Sequence, residues 1–579
     1  MIKSISKADL DRIYKRLKFL YGERADWLLD RFYHLHGRYG VGLEPPLPTT
    51  RRWDQKDVVL ITYADMVQAE GKTPLMGLRD FCFEHLKGAI DTVHILPFYP
   101  WSSDDGFSVI DYRQVKKEYG NWDDIEKLGE DFKLAFDLVL NHCSAQSEWF
   151  KDYILGISPA RHYFLEMDPE TDLSAVVRPR TSPLLTKTTT RFGESYVWTT
   201  FSADQVDLNW QNSDLLFEFL DILFLYLSKG VHTLRLDAVA FAWKEVGTNC
   251  LHLPQTHEIV KLLRDVCEIV DPRVNILTET NVPHEENISY FGHGDEAHVV
   301  YNFSLPPLLL HALLTQNAQY LADWLINLSY PEGACTYLNF TASHDGIGVR
   351  PLQGLLPQEE FDKLIQAVES RGAHVSYRNL PDGSKSPYEL NITYASALSD
   401  PEDAKLGAAR FLCSQYFALS LKGIPAVYFH SLMGTENYHE GVDATGAPRT
   451  INRRKWQRPE LDKVIGRKTG IQAELFREYV QVLCRRANYP AFNPDGAQEV
   501  IQLSEAIVVI ARTSILGNQS VYCVFNFTAT KQTLKVPTDF VPLQKVKKLY
   551  DVISGKTLSS GKRGLSLKPY QAMWLVPRI

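Results

Sequence analysis

The apolar residues of this chain fall into two rhythms. Short, nearly continuous apolar runs occur at residues 57–64, 92–97, 134–140, 233–239, 274–278, 298–301, 336–340 and 425–429. Runs apolar on both alternating faces predict strands of a parallel sheet covered on both sides. Between most of them, apolar residues recur at helical spacing, as in Phe217 to Ser228, Glu258 to Ile269 and Ala408 to Leu421. The first of these stops just before Gly230, a residue type that ends helices. Eight such units predict closure into an α/β fold, a (β/α)8 TIM barrel, whose chemistry sits at the C-terminal strand ends.

Three stretches depart from this alternation. Residues from about Ser6 to Gly40 carry a helical pattern, with Leu10, Ile13, Leu17 and Leu20 on one face, before Pro45, Pro46 and Pro48 break it. The spacings after the third and seventh strands are too long for ordinary connections. After about Asn488 the pattern becomes short strands without helices, at 506–511, 520–525 and 572–576. The expected organisation is an N-terminal helical extension and linker at 1–55 and a barrel at 56–141, 213–345 and 401–487. Insertions at 142–212 and 346–400 (subdomains B and B') interrupt the barrel, and an antiparallel β domain occupies 488–579. Insertions after strands three and seven lie at the catalytic face and are expected to roof it.

Composition narrows the function. Charged residues make up 23% of 579 and the net charge is −8, without a long basic block. Nucleic acid and anionic membrane are therefore poor partners. The eight cysteines form no CxxC pair, which leaves zinc and redox motifs unsupported. No apolar run approaches the length of a membrane span, and scattered cysteines fit a reducing cytoplasm.

Three acids follow strands four, five and seven: Asp237, Glu279 and Asp345. Barrel closure brings them to one mouth. Retaining glycoside chemistry needs a carboxylate nucleophile and a second carboxyl acting as acid then base, about 5–5.5 Å away. The two must differ in protonation. Arg235 precedes Asp237 by two residues, hence on the same strand face, and is expected to keep Asp237 ionised. Glu279 has no cation near it in sequence, as suits a proton donor.

Asp137-Leu-Val-Leu-Asn141-His142, Arg235-Leu-Asp237, Glu279 and His344-Asp345 occur in the order of the four segments of the α-amylase clan, which the chain resembles from residue 55 onward. Leu60-Ile-Thr-Tyr-Ala-Asp65, Asp104-Asp-Gly-Phe107, Arg178-Pro-Arg180 and His344-Asp-Gly-Ile-Gly348 resemble the sucrose phosphorylase branch. Pro100-Trp-Ser-Ser-Asp-Asp-Gly-Phe107, Glu279-Thr-Asn-Val-Pro-His284, Pro381-Asp-Gly383 and Ser386-Pro-Tyr-Glu389 are similar to phosphorylases of glucosylglycerate and glucosylglycerol.

The resemblance implies a double displacement from a small glucoside to inorganic phosphate, giving α-glucose 1-phosphate. Asp237 would be the nucleophile, Glu279 the acid/base and Asp345 the transition-state stabiliser. Asp104, Phe107, His142, Phe201, His344 and Arg453 would hold the glucosyl unit, and Arg180 with Tyr388 the phosphate. No cofactor and no metal are expected, and the protein is expected to be a monomer or homodimer. Sucrose phosphorylases generally carry Gln at the position of Glu389 and His at that of Asn281. Glu389 is therefore expected to accept from glycerol hydroxyls, or Arg378 and Lys385 to pair with a glycerate carboxylate. Sucrose phosphorylase, a hydrolase or transglucosidase of the clan, and a non-enzymatic binding subunit are the alternatives.

Overall fold

A computed structural model describes residues 5–39, 51–331, 333–379, 384–534, 546, 548–559 and 564–578. Eight parallel strands close a barrel: β1 (Val59–Thr62), β2 (Thr92–Ile95), β3 (Lys133–Val139), β4 (Val231–Asp237), β5 (Asn275–Thr278), β6 (Val299–Tyr301), β7 (Thr336–Asn339) and β8 (Ile424–Tyr428). Each pairs with its neighbours in sequence, and β8 returns to β1. Every strand lies within two residues of its expected bounds, because unbroken apolar runs are what a doubly covered sheet requires.

Register matters most between β3 and β4, where Asp137 lies opposite Arg235 and Val139 opposite Asp237. Helices cover the outside. Helix Ser213–Ser228 is capped by Asn212, whose side chain accepts from the Asp214 N–H, and the chain turns at Gly230 with φ +80° into β4. Helix Pro254–Val270 starts with proline in its first turn, where the missing N–H is harmless.

After β3, His142–Ser144 pairs with Gln205–Asp207, and Leu185–Thr190 with Gly193–Trp198. After β7, Ile347–Gly348, Lys385–Asn391 and His374–Asn379 form a three-stranded antiparallel sheet in that order. The Pro381–Gly383 motif falls outside the described residues. Near the C-terminus, Ile507–Thr513, Ser520–Asn526 and Ala572–Arg578 belong to a six-stranded sheet.

The N-terminal helical pattern divides into two helices that pack as a hairpin. Helices α1 (Lys7–Tyr21) and α2 (Ala25–Arg38) are separated at Gly22, φ +60°. Arg16 of α1 reaches Glu258 at 3.2 Å and Asp265 at 3.1 Å on helix Pro254–Val270. Phe32 of α2 packs on Phe224, ring centres 6.4 Å apart. The expected linker prolines lie outside the described residues. No helix among the described residues is long and apolar enough to cross a membrane.

Candidate active site

Asp237 is the last residue of β4, Glu279 follows β5 directly, and Asp345 lies in the loop after β7. The turn after Asp237 is unusual. Ala238 takes φ +48°, and its N–H donates to Glu279 Oε2 at 3.0 Å. Such a left-handed conformation costs about 1–3 kcal/mol in a non-glycine residue, and here it fixes one acid against the strand bearing the other. Below them, Arg235 Nη1 donates to Asp237 Oδ1 at 2.7 Å and also bonds Asp137. His94 Nε2 holds the second Asp137 oxygen at 2.7 Å.

The three acids line one narrow cavity of about 70 Å³, where a single buried water needs roughly 10–15 Å³. Asp104, Phe107, His142 and His344 form one wall, and Phe107 stacks on His344 with ring centres 4.7 Å apart. Arg180, Phe201 and Gln205 come from the insertion after β3. Arg350, Tyr388 and Glu389 come from the insertion after β7. Both insertions therefore roof the mouth. Arg180 lies 5.9 Å from the Tyr388 ring centre. A larger cavity, about 1410 Å³, opens at the opposite end of the barrel beside Asp57, Lys133 and His232, away from the strand-end acids.

Backbone approach builds the rear wall. A Cβ on Gly346 would come within 2.6 Å of Glu389 Cγ, and one on Gly348 within 2.4 Å of Asn281 Nδ2. The two glycines of His344-Asp-Gly-Ile-Gly348 thus let the chain pass tightly under both side chains.

Electrostatics set Asp345 apart from the other two acids. Burial pushes the Asp237 carboxyl well above the ordinary aspartate range, opposed by Arg235 and reinforced by Glu279. Burial also raises Glu279, against the pull of Arg235 and with the push of Asp345. At Asp345 burial acts upward too, but Arg449, Arg453 and Arg235 outweigh it and the carboxyl sits below its usual range. His344 is held well below the ordinary histidine range, by burial first and then by Arg235 and Arg453.

A family profile, the alpha amylase catalytic domain, matches residues 84–330. A glucosylglycerate phosphorylase of Spirochaeta thermophila is 44% identical over 98% of this chain and 99% of its own. The chain belongs to the sucrose phosphorylase branch of the alpha-amylase family. A glucosylglycerol phosphorylase of Marinobacter adhaerens is 32% identical over 78% of this chain and 91% of its own. A crystal structure of sucrose 6F-phosphate phosphorylase from Thermoanaerobacter thermosaccharolyticum shares the fold, with TM-score 0.71 and 24% identity over 82% of this chain and 94% of that one.

Three expectations need correction. Arg235 bonds Asp237 as expected, but burial outweighs it. Glu279, without a cation near it in sequence, lies in the fields of Arg235 and Arg449 after folding. Arg453 does not line the cavity. It braces the wall from behind, donating to the His344 carbonyl at 2.9 Å and pairing with Asp105 at 2.9 Å. Glu389 lines the cavity already engaged: Arg449 binds both its oxygens, at 2.9 and 2.7 Å, and the Gly346 N–H donates to Oε1 at 3.1 Å, so an alcohol hydroxyl there shares an oxygen with Arg449.

Arg449 was not among the expected residues. It lines the cavity and forms an ion pair with Asp345 Oδ1 at 2.7 Å while holding Glu389. Its only sequence signal was a basic residue after the last strand, four positions before Arg453. Of the two proposed carboxylate partners, Lys385 is exposed and Arg378 is half-buried, and neither lines the cavity.

Proposed function

We propose that this enzyme is a retaining phosphorylase that transfers glucosyl from glucosylglycerate to inorganic phosphate, releasing glycerate and α-D-glucose 1-phosphate. The observation that carries the reading is the shared cavity: Asp237 bonded to Arg235, Glu279 facing the same space, and Arg180 with Tyr388 above them. The glucosylglycerate phosphorylase match over nearly the whole chain favours glycerate over glycerol or fructose as the leaving alcohol.

Burial raises both carboxyls, and the two titrate together. In the reaction Asp237 carries the charge, helped by its hydrogen bond from Arg235 Nη1, and Glu279 carries the proton. Asp237 attacks the anomeric carbon, the bond to the glycerate oxygen breaks, and Glu279 gives that oxygen its proton. The result is a β-glucosyl ester on Asp237. Phosphate then attacks the same carbon from the face the alcohol left. The ester opens, the Asp237 carboxylate is restored, and Glu279 recovers a proton from the phosphate. Two inversions give net retention. Asp345, ionised and fixed by Arg449, stabilises positive charge on the sugar between these steps. Asp104, His142 and His344 hold the glucosyl hydroxyls, between Phe107 and Phe201.

The test is phosphate-dependent release of glucose 1-phosphate from glucosylglycerate, glucosylglycerol and sucrose, with the anomer read by NMR. The α anomer, formed fastest from glucosylglycerate, is expected. Free glucose released equally fast without phosphate would overturn the reading. The eight unpaired cysteines are consistent with a cytoplasmic enzyme.

A further inference from the structure

The arginines around the cavity are not equivalent. Arg235, Arg449 and Arg453 each have a carboxylate oxygen within 3 Å: Asp237 at 2.7 Å, Glu389 at 2.7 Å and Asp105 at 2.9 Å. Arg350 does not. Among the described residues its nearest carboxylate is Glu286 at 3.6 Å, which is half-exposed and already engaged by His252 Nε2 at 3.1 Å. The Arg350 side chain is almost fully buried, lines the cavity, and leaves Nε buried without a hydrogen-bond partner. A buried guanidinium with an unused donor is costly unless something pairs with it.

Its position indicates which reactant could pair with it. Asn281 stands two residues beyond Glu279, and Gly348, two residues before Arg350, passes directly under the Asn281 amide. Asn281 and Arg350 therefore line the same cavity as the proton donor, joined through the tight passage of Gly348 under the amide. Asn281 Oδ1 is also buried without a partner. One unused cationic donor beside one unused acceptor, next to the acid, matches a short acceptor carrying a carboxylate and a hydroxyl.

We infer that Arg350 is a specificity-determining residue that binds the carboxylate of the leaving alcohol, with Asn281 accepting from a neighbouring hydroxyl. This deepens the glucosylglycerate reading and rests on it. A planar guanidinium suits a carboxylate through two parallel N–H bonds. Glu286 and His252 then act as positioning residues behind it. Arg350 also lies near Tyr388, through the Val349 N–H to Tyr388 carbonyl bond at 3.0 Å. With Arg350 on the carboxylate, Arg180, from the other insertion, is left for the phosphate that enters next.

The experiment compares Arg350→Gln and Arg350→Lys with the parent enzyme by calorimetric titration with glycerate and with inorganic phosphate. In parallel, glycerate and glycerol serve as acceptors from glucose 1-phosphate. Losing a charged hydrogen-bond pair of about 1.5–3 kcal/mol corresponds to roughly a 10- to 150-fold weakening. Arg350→Gln is expected to weaken glycerate by that factor and phosphate by less than about three-fold, with the kcat/KM ratio of glycerate to glycerol collapsing and Lys restoring part of it. Equal weakening of glycerate and phosphate, or loss on phosphate alone, would overturn the inference. So would an unchanged glycerate affinity. A parent enzyme that neither binds glycerate nor releases glucose 1-phosphate from glucosylglycerate would instead defeat the functional reading itself.

Discussion

At the scale of single residues, the site is a contest between burial and charge. Glu279 shows it most simply. Its folded pKa lies above the ordinary 4.5, so above that pH the folded state keeps a proton the unfolded chain has released, and stability falls as pH rises through the folded value. Below 4.5 both states are protonated and the penalty disappears. Glu279→Gln removes the titration. Thermal melts should therefore show the variant gaining stability over the parent at pH 8, with the gain gone at pH 4. Its turnover of glucosylglycerate should drop by about 10²–10⁴, and Asp237→Asn should leave only background rates. The opposite sign holds for Asp345 and Glu389, whose carboxyls lie below their usual ranges: burial acts upward on each, but Arg449 leads the opposing charges. Their contribution is present above the unfolded pKa values and is lost as pH falls through the lower folded ones. Arg449→Met strands two carboxylates. Urea titration at pH 7 should show a loss of about 3 kcal/mol, shrinking toward pH 4 as the orphaned acids protonate.

Elements carry these residues into place, and their legibility in sequence was uneven for physical reasons. The eight strands were readable because burial on both faces dictates unbroken apolar runs, and the acids were readable because strand ends are fixed by those runs. The break in the N-terminal helix needed only the weight of Gly22. Arg449 and Arg350 were not readable. Each sits in a short 3-10 turn, 104 and 5 positions beyond Asp345, and its role arises from a side-chain partner that no periodicity encodes. The wall at Gly348 tests how tightly elements meet. A Cβ there collides with the Asn281 amide, and overpacking of this kind costs about 1–3 kcal/mol. Gly348→Ala should lower Tm and glucosylglycerate turnover together. Adding Asn281→Ala should return most of the Tm while activity stays low, since the cavity wall is then changed; a double variant no more stable than the single would contradict the clash.

For the whole molecule, chemistry and fold support are placed at different sites. The α1–α2 hairpin packs on outer helices, with Phe32 1% exposed against Phe224. Phe32→Ala should cost about 3–5 kcal/mol of stability, while KM for glucoside and phosphate stays at the parent value; a raised KM would show that the hairpin reaches the mouth. The bridge made by Arg449 has a consequence for attempts to recombine this enzyme with its relatives. One guanidinium bolts the second insertion to the catalytic loop, yet it is encoded downstream of both. A chimera that imports only residues 346–400 from a donor with glutamine at position 389 would inherit a cation with half its counter-charge missing. Swapped modules here should be cut after position 449, so that bolt and socket share one ancestry.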